Sequence, residues 1–192
     1  MATKESLKRK NFSPDEFFYS KTAEENGLIN YPPKGQELSI LTALMSTTDM
    51  MQEVRDLLGH PIRITSGYRC SELNKLVGGS KSSQHLQGLA CDFVCPEFGT
   101  PLEVVKYLQL NDFLVDQCLC EGSWVHISRS LPKKVFNLQT NRMMYGSYLV
   151  NKNTGQREFN TFPQYEQMEE CQNVIKENLE RSKEFFKKVQ KN

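Results

Sequence analysis

Apolar and polar positions along the chain follow patterns that predict both helices and strands. Residues 37–58 carry apolar side chains at close to every third or fourth position, which is typical of a long amphipathic helix. Gly59, with Pro61 just beyond it, indicates where this helix ends. Ser13 followed by Pro14 indicates an earlier helix start, because serine is a common N-cap and proline fits the first helical position. We expect the apolar face of the long helix to pack in the core.

Shorter apolar runs, bounded by turn residues, predict strands separated by two further helices. The predicted strands cover residues 62–66, 89–95, 115–121, 124–128, 134–138 and 145–150, and the predicted helices cover residues 71–76 and 101–110. Together these elements predict a small α+β domain, in which helices pack on one side of a mainly antiparallel sheet.

The last part of the chain differs in character. Residues 164–191 are dense in glutamate and lysine and predict a helix with one apolar stripe, made of Met168, Cys171, Ile175, Leu179 and Phe186. The stripe either packs on the preceding domain or docks elsewhere, including on a second copy of the chain, and it is too short and irregular to indicate a coiled coil. We therefore divide the chain into a domain of residues 1–150 and a linker with a helix over residues 151–192.

Composition and charge exclude several functional classes. With 192 residues, of which 38% are hydrophobic, the chain can form one domain with its own core. A net charge of +1 gives no general attraction to nucleic acid or to an anionic membrane. No apolar run approaches the roughly 20 residues of a membrane span. The polar N-terminus predicts no signal peptide, so we expect synthesis and retention in a cytoplasm.

Six cysteines raise the question of a thiolate metal site. They are Cys70, Cys91, Cys95, Cys118, Cys120 and Cys171. A cytoplasmic protein keeps its cysteines reduced, and these spacings are not those of the usual zinc ribbons. The paired cysteines lie in apolar, strand-like runs, so we expect small buried residues rather than ligands.

Two of the three histidines point to metal chemistry. His85, Asp92 and His126 are donor types of a catalytic zinc site, in which three protein ligands leave a fourth position for water. Bound zinc lowers the pKa of that water to about 7 and so provides a nucleophile at neutral pH. Spacing alone does not separate this interpretation from ordinary surface or hydrogen-bonding histidines. The third histidine, His60, lies in a predicted turn.

A predicted hairpin brings an acid close to the last of these histidines. If residues 122–123 form a two-residue loop, Glu121 lies opposite Trp124, and Leu119 lies opposite His126. Glu121 is then a diagonal neighbour of His126, at about 7–8 Å or less. A carboxylate at this position is within reach of a water on a metal held by His126, which predicts Glu121 as the general base. The alternative is a solvated acid beside a hairpin turn.

The surrounding sequence carries a resemblance to a known family. Its residues are Ile64-Thr65-Ser66-Gly67-Tyr68-Arg69, Ser83-x-His85-x-x-Gly88-x-Ala90-x-Asp92-Phe93 and Glu121-x-x-Trp124-Val125-His126. Over about residues 11–130 the chain resembles the zinc peptidase family of the D-Ala-D-Ala carboxypeptidases, which includes phage endolysins that cut L-Ala-D-Glu or related cell-wall bonds. Within this family the chain looks like the branch found in phages and prophages. The resemblance implies a Hedgehog/D-Ala-D-Ala peptidase-like fold and Zn²⁺ held by His85, Asp92 and His126.

One position departs from the family pattern. In its well-known members an acid lies three residues before the last histidine, where this chain has Ser123. The nearest acid is Glu121, five residues before His126, and the phage branch is similar in using such an arrangement. Asp112 and Asp116 are weaker candidates for the base.

Three further residues are candidates for binding substrate. The planar guanidinium of Arg69 suits a carboxylate, either that of a substrate or that of a structural ion pair. Ser83 either contacts the substrate or the ligand shell, or caps its own loop. Gln117, on the predicted face of His126, is a third candidate.

The resemblance implies a phage or prophage zinc peptidase that cleaves peptidoglycan stem peptides at the bacterial wall. A lysis enzyme would need a pore-forming holin, and a virion-borne enzyme would be carried with virion proteins. The alternatives are a virion structural or assembly protein that retains the peptidase fold, and a cytoplasmic dipeptidase.

Overall fold

The computed structural model of the protein describes residues 2–130, 144–150 and 156–162. Within them lie four α-helices, three short 3₁₀ helices and a six-stranded sheet. The predicted strand over residues 134–138 and the predicted helix over residues 164–191 lie outside the described residues. No helix in the described part of the chain has the length and apolarity needed to cross a membrane.

The helices predicted at residues 37–58, 71–76 and 101–110 are found with those bounds, whereas the helix at residues 21–25 was not predicted. The α-helices are α1 (Lys21–Glu25), α2 (Glu37–Leu58), α3 (Ser71–Leu76) and α4 (Pro101–Leu110), and the 3₁₀ helices are Lys4–Leu7, Pro14–Phe17 and Gln84–Gln87. Gly59 ends α2 in the left-handed conformation, at φ 68°. Ser13 is the N-cap of the second 3₁₀ helix, with Pro14 in its first turn. Local capping residues therefore set these boundaries.

The strands form one sheet with mostly antiparallel neighbours. They are β1 (Arg63–Ser66), β2 (Ala90–Val94), β3 (Gln117–Cys120), β4 (Val125–Ser128), β5 (Met144–Val150) and β6 (Arg157–Thr161). Their order is β1-β2-β4-β3-β5-β6, and only the β3–β5 pair in this sheet is parallel. This confirms the predicted α+β class. No apolar run in the sequence predicted β6, which extends the sheet past residue 150.

One face of the sheet packs on the helices and forms the core. The alternating residues Cys91, Phe93, Cys118, Cys120, Val125 and Ile127 are buried on this face, in one apolar cluster with Leu44, Met51 and Val54 of α2 and Val104 and Leu108 of α4. The described cysteines are all free and buried, as predicted, while Cys171 lies outside the described residues. Burial raises the pKa of the Cys118 thiol, which keeps it protonated.

A close contact with α2 fixes the segment just before β2. Gly88 ends the Gln84–Gln87 helix at φ +71°, and a Cβ at this position would lie 2.8 Å from the carbonyl oxygen of Ile40. Thr47 Oγ1 donates a hydrogen bond of 2.7 Å to the Gly88 carbonyl oxygen. The position of this short helix therefore depends on the docking of α2.

We predict that Gly88→Ala destabilises the fold more than Gly27→Ala. Gly27 has a similar φ of +64°, but a Cβ at this position would have nothing within 4 Å, so alanine costs only the backbone strain, about 1 kcal/mol. At Gly88 the backbone clash adds to that strain, for a total of about 3 kcal/mol. Urea unfolding of both variants measures the difference, and equal losses would contradict a steric role for Gly88.

Candidate metal centre

The polar residues of the centre lie on the sheet face opposite the core. Direct partners on β1, β2, β4, β3 and β5 form a row across the sheet, which we term the central row: Ser66, Asp92, His126, Leu119 and Gly146. Asp92 and His126 are thus cross-strand neighbours, whose side chains share a face. His85 reaches the same point from the Gln84–Gln87 helix. The structure therefore brings together the three residues predicted to bind a metal.

The three donor atoms have a spacing that suits zinc. His85 Nε2 lies 3.2 Å from Asp92 Oδ1, His126 Nδ1 lies 2.9 Å from the same oxygen, and the two nitrogens are 3.3 Å apart. Ligand atoms bound tetrahedrally at zinc distances are about 3.3 Å from one another. Two imidazoles and a carboxylate are also ligands that zinc accepts. The residues present therefore fit a zinc ion with one open position.

His85 is held in the tautomer that a metal ligand needs. Its Nδ1 lies 2.6 Å from the carbonyl oxygen of Gly67, and a carbonyl only accepts, so Nδ1 carries the proton. The lone pair of Nε2 then faces Asp92 and His126. Burial lowers the pKa of His85, which favours the neutral ring. A hydrogen bond on the far nitrogen commonly orients ligating histidines.

Asp92 is held ionised between two sets of donors. Burial alone would raise the pKa of Asp92, but its contacts with the two neighbouring imidazoles lower it overall. Arg69 Nη2 lies 2.5 Å from Asp92 Oδ2, and Arg69 Nε donates to Ser66 Oγ at 2.8 Å. Arg69 thus forms an ion pair with Asp92, which was one of the two roles that the sequence allowed for it. Because Arg69 holds Oδ2, the other carboxylate oxygen, Oδ1, faces the two histidines.

Sequence reasoning did not single out Gly67 as a site residue. A Cβ on Gly67 would lie 2.4 Å from the carbonyl oxygen of Phe17, and the amide of Tyr68 donates to that same oxygen at 2.8 Å. The loop after β1 can press against the Pro14–Phe17 helix only because residue 67 has no side chain. This contact places the carbonyl that orients His85. The sequence signal for this role was Gly67 itself, a glycine directly after the predicted strand over residues 62–66.

A cavity of about 530 Å³ opens on the centre. Its lining includes Arg69, Ser83, Glu121, Trp124 and Tyr148, the three metal-ligand candidates and residues 77–80. The predicted hairpin is confirmed, since Leu119 pairs with His126 and the amide of Glu121 donates to the Trp124 carbonyl at 2.9 Å. Ser83 also accepts a hydrogen bond of 3.4 Å from the amide of His85, so it caps its loop at the edge of the cavity.

The register explains which candidates the cavity includes. If the registers of β3 with β4 and with β5 are continued two residues beyond the central row, they align Trp124, Glu121 and Tyr148, which we term the outer row. Gln117 lies two residues to the other side, opposite Ser128, and its Nε2 contacts Met144 Sδ at 3.6 Å. The cavity lining does not include Gln117.

The two weaker candidates for the base also lie away from the described cavity lining. Asp116 is buried and accepts hydrogen bonds from Gln84 Nε2 at 3.1 Å and from Ser130 Oγ at 3.0 Å. Asp112 follows α4, with φ at 49°. Among these acids, Glu121 alone lines the cavity.

Comparison with known proteins adds a family to this geometry. A family model described as peptidase M15 matches residues 10–128, which includes the three ligand candidates and Glu121. The chain belongs to the peptidase M15 family. M15 proteins are metal-dependent peptidases, typically with zinc, and the His85, Asp92 and His126 cluster is a candidate for that metal. A search of curated proteins found no match.

We predict that removing either histidine of the centre abolishes metal binding. His85→Ala and His126→Ala each delete one of three donors, so bound zinc falls from about one per chain to near none. Elemental analysis after gel filtration measures the ratio. The matched control is His60→Ala, which deletes the remaining histidine, buried elsewhere in the fold. Full zinc in His85→Ala would contradict the assignment.

Proposed function

We propose that the protein is a zinc metallopeptidase that hydrolyses peptide bonds of peptidoglycan stem peptides. The proposal depends on one observation. The donor atoms of His85, Asp92 and His126 lie 2.9–3.3 Å from one another in the wall of a cavity. The carboxylate residue Glu121 lines the same cavity. A metal centre with one open position and an adjacent base is the arrangement that metal-assisted hydrolysis needs.

His85, Asp92 and His126 would hold the zinc ion. When bound there, zinc supplies a Lewis acid for the scissile carbonyl and lowers the pKa of water. The protein contributes the orientation of these ligands: Gly67 fixes the ring of His85, and Arg69 fixes the carboxylate of Asp92.

Glu121 is our candidate for the general base. It lies in the outer row, diagonal to His126, and it lines the same cavity as the three ligands. Its carboxylate would take one proton from the attacking water and deliver it to the nitrogen of the leaving amine. The water oxygen forms the new bond to the carbonyl carbon as the bond from that carbon to nitrogen breaks, so hydrolysis is balanced without a further reactant.

The cavity supports a peptide rather than a larger surface as substrate. About 530 Å³ is within the range of pockets that enclose a small ligand, roughly 300–1,000 Å³. Arg69 and Ser83 add polar groups at its wall, and stem peptides are rich in carboxylates that an arginine suits. Because Arg69 already contacts Asp92, it would contact substrate from a fixed position. Gln117 remains a candidate on sequence grounds only.

We place the activity at the bacterial cell wall, in a phage or prophage lysin that acts with a holin or as part of the virion. The likeness of the motifs to the endolysin branch supports this placement. The alternative is a virion structural or assembly protein built on the same fold, which would bind zinc but cleave nothing.

We predict that Glu121→Gln retains zinc and loses turnover by about a hundredfold to ten-thousandfold, because glutamine keeps the shape but cannot accept the proton. Mass spectrometry of purified peptidoglycan, digested by wild type and variant, measures new amine and carboxyl termini and identifies the bond. The matched control is Glu24→Gln, an exposed glutamate on α1.

Each outcome of this digestion has a clear meaning. Termini made by wild type and by Glu24→Gln, but not by Glu121→Gln, support the proposal. Undiminished cleavage by Glu121→Gln moves the base to another residue. No cleavage of any wall type by zinc-loaded wild type favours the structural role.

A further inference from the structure

The β5–β6 ribbon contributes to the cavity although it lies outside the segment that matches the family. The match ends at residue 128, whereas β5 begins at Met144. Tyr148 of β5 lines the cavity together with the metal-ligand candidates and Glu121. The proposed chemistry gives this tyrosine no role.

The sheet register places Tyr148 beside Glu121. Leu119 of β3 pairs with Gly146 of β5 in a parallel arrangement, and continuing this register along the sequence places Glu121 opposite Tyr148. Both residues line the cavity, as neighbours on one face of the sheet would. Trp124 is the neighbour of Glu121 on its other side, through the hairpin. Adjacent strands are about 5 Å apart. An aromatic residue therefore flanks the Glu121 position on each side.

A second aromatic ring holds Tyr148 in place. Tyr148 pairs with Phe159 on β6, and their ring centroids are 5.1 Å apart. The Phe159 ring also lies over Gly146, where a Cβ would come within 2.8 Å of two ring carbons. The missing side chain at position 146 thus makes room for Phe159, and Phe159 supports the ring that faces the cavity.

The chemistry of hydrolysis indicates that the leaving residue of the substrate lies at the end of the cavity that Glu121 lines. The base that protonates the leaving nitrogen must come within hydrogen-bonding reach of it. The residue that carries this nitrogen, on the carboxyl side of the cleaved bond, therefore lies next to Glu121 and its two aromatic neighbours. Arg69, the one arginine or lysine in the described lining, lies beyond Asp92 at the other end of the central row.

From this geometry we infer that Tyr148, together with Trp124, forms the subsite for the leaving residue and selects an uncharged apolar side chain, such as that of alanine, over an acidic one. The inference rests on the proposed function. Two aromatic rings offer apolar contact to an alkyl group, whereas an acidic side chain would lie beside the like charge of the Glu121 carboxylate. Arg69, which lines the same cavity, contacts Asp92 instead. For stem peptides, bonds that release alanine are then preferred to bonds that release glutamate.

The test compares two peptides that differ only in the leaving residue, alanine or glutamate, with zinc-loaded protein and with cleavage followed by mass spectrometry. Wild type cleaves the alanine peptide with a kcat/KM about tenfold higher, the range that one small group in an apolar pocket provides. Tyr148→Phe keeps this preference because the ring remains. Tyr148→Ala loses it, mainly through a higher KM for the alanine peptide. Tyr19→Ala, at an exposed tyrosine outside the described lining, is the matched control.

A charged residue at position 148 distinguishes loss of the subsite from misfolding of the variant. Tyr148→Lys places a cation in the subsite, so its ratio of kcat/KM values shifts towards the glutamate peptide, a gain that an unfolded protein cannot show. Equal losses on both peptides in Tyr148→Ala, or an unchanged ratio in both variants, would overturn the inference.

Binding separates failure of this inference from failure of the proposed function. Trp124 is the only tryptophan of the chain and lines the cavity, so its fluorescence reports peptide binding without turnover. If wild type cleaves neither peptide, the proposed function fails. If Tyr148→Ala then binds the alanine peptide more weakly than wild type does, and binds the glutamate peptide as wild type does, the subsite is still supported. Binding unaffected by Tyr148→Ala refutes the subsite, and absence of any binding by wild type refutes both proposals.

Discussion

The Asp92 carboxylate lies buried in the middle of the sheet, in contact with both histidines and with the Arg69 guanidinium. A buried charge is tolerated only when it is paired and hydrogen-bonded, so these contacts constrain one another. Arg69 is positioned by Ser66, at the end of β1. The loop that follows this strand supplies the carbonyl that orients His85. The centre therefore depends on how β1, β2 and β4 align and on the loop that follows β1.

Much of this arrangement is predictable because it follows from local signals. Gly59 indicated the end of α2, and a glycine in a two-residue loop indicated the register between Glu121 and Trp124. Alternation along β3 and β4 then placed Glu121 on the face of His126. The ligand set came from residue types within a recognisable motif, and the structure brings its three members together.

The features that the sequence did not predict depend on contacts between distant segments. The need for glycine at position 67 arises from the backbone of Phe17, fifty residues earlier in the chain. Alternation placed Gln117 on the correct face, but only the register across several strands shows that its row lies away from the cavity. Tyr148 reaches the cavity because β5 joins β3 as a parallel neighbour, a pairing that no turn residue signals.

The parallel pairing of β5 with β3 also separates two tasks within one sheet. The ligand candidates lie on β2, β4 and the short helix before β2, whereas Tyr148 and Phe159 lie on a two-stranded ribbon at the sheet edge. Substitutions in that ribbon would change the shape of one wall of the cavity and leave the spacing of the three candidate metal ligands unchanged. A peptidase built in this way can change the peptides that its cavity accepts without moving the residues that would hold its metal.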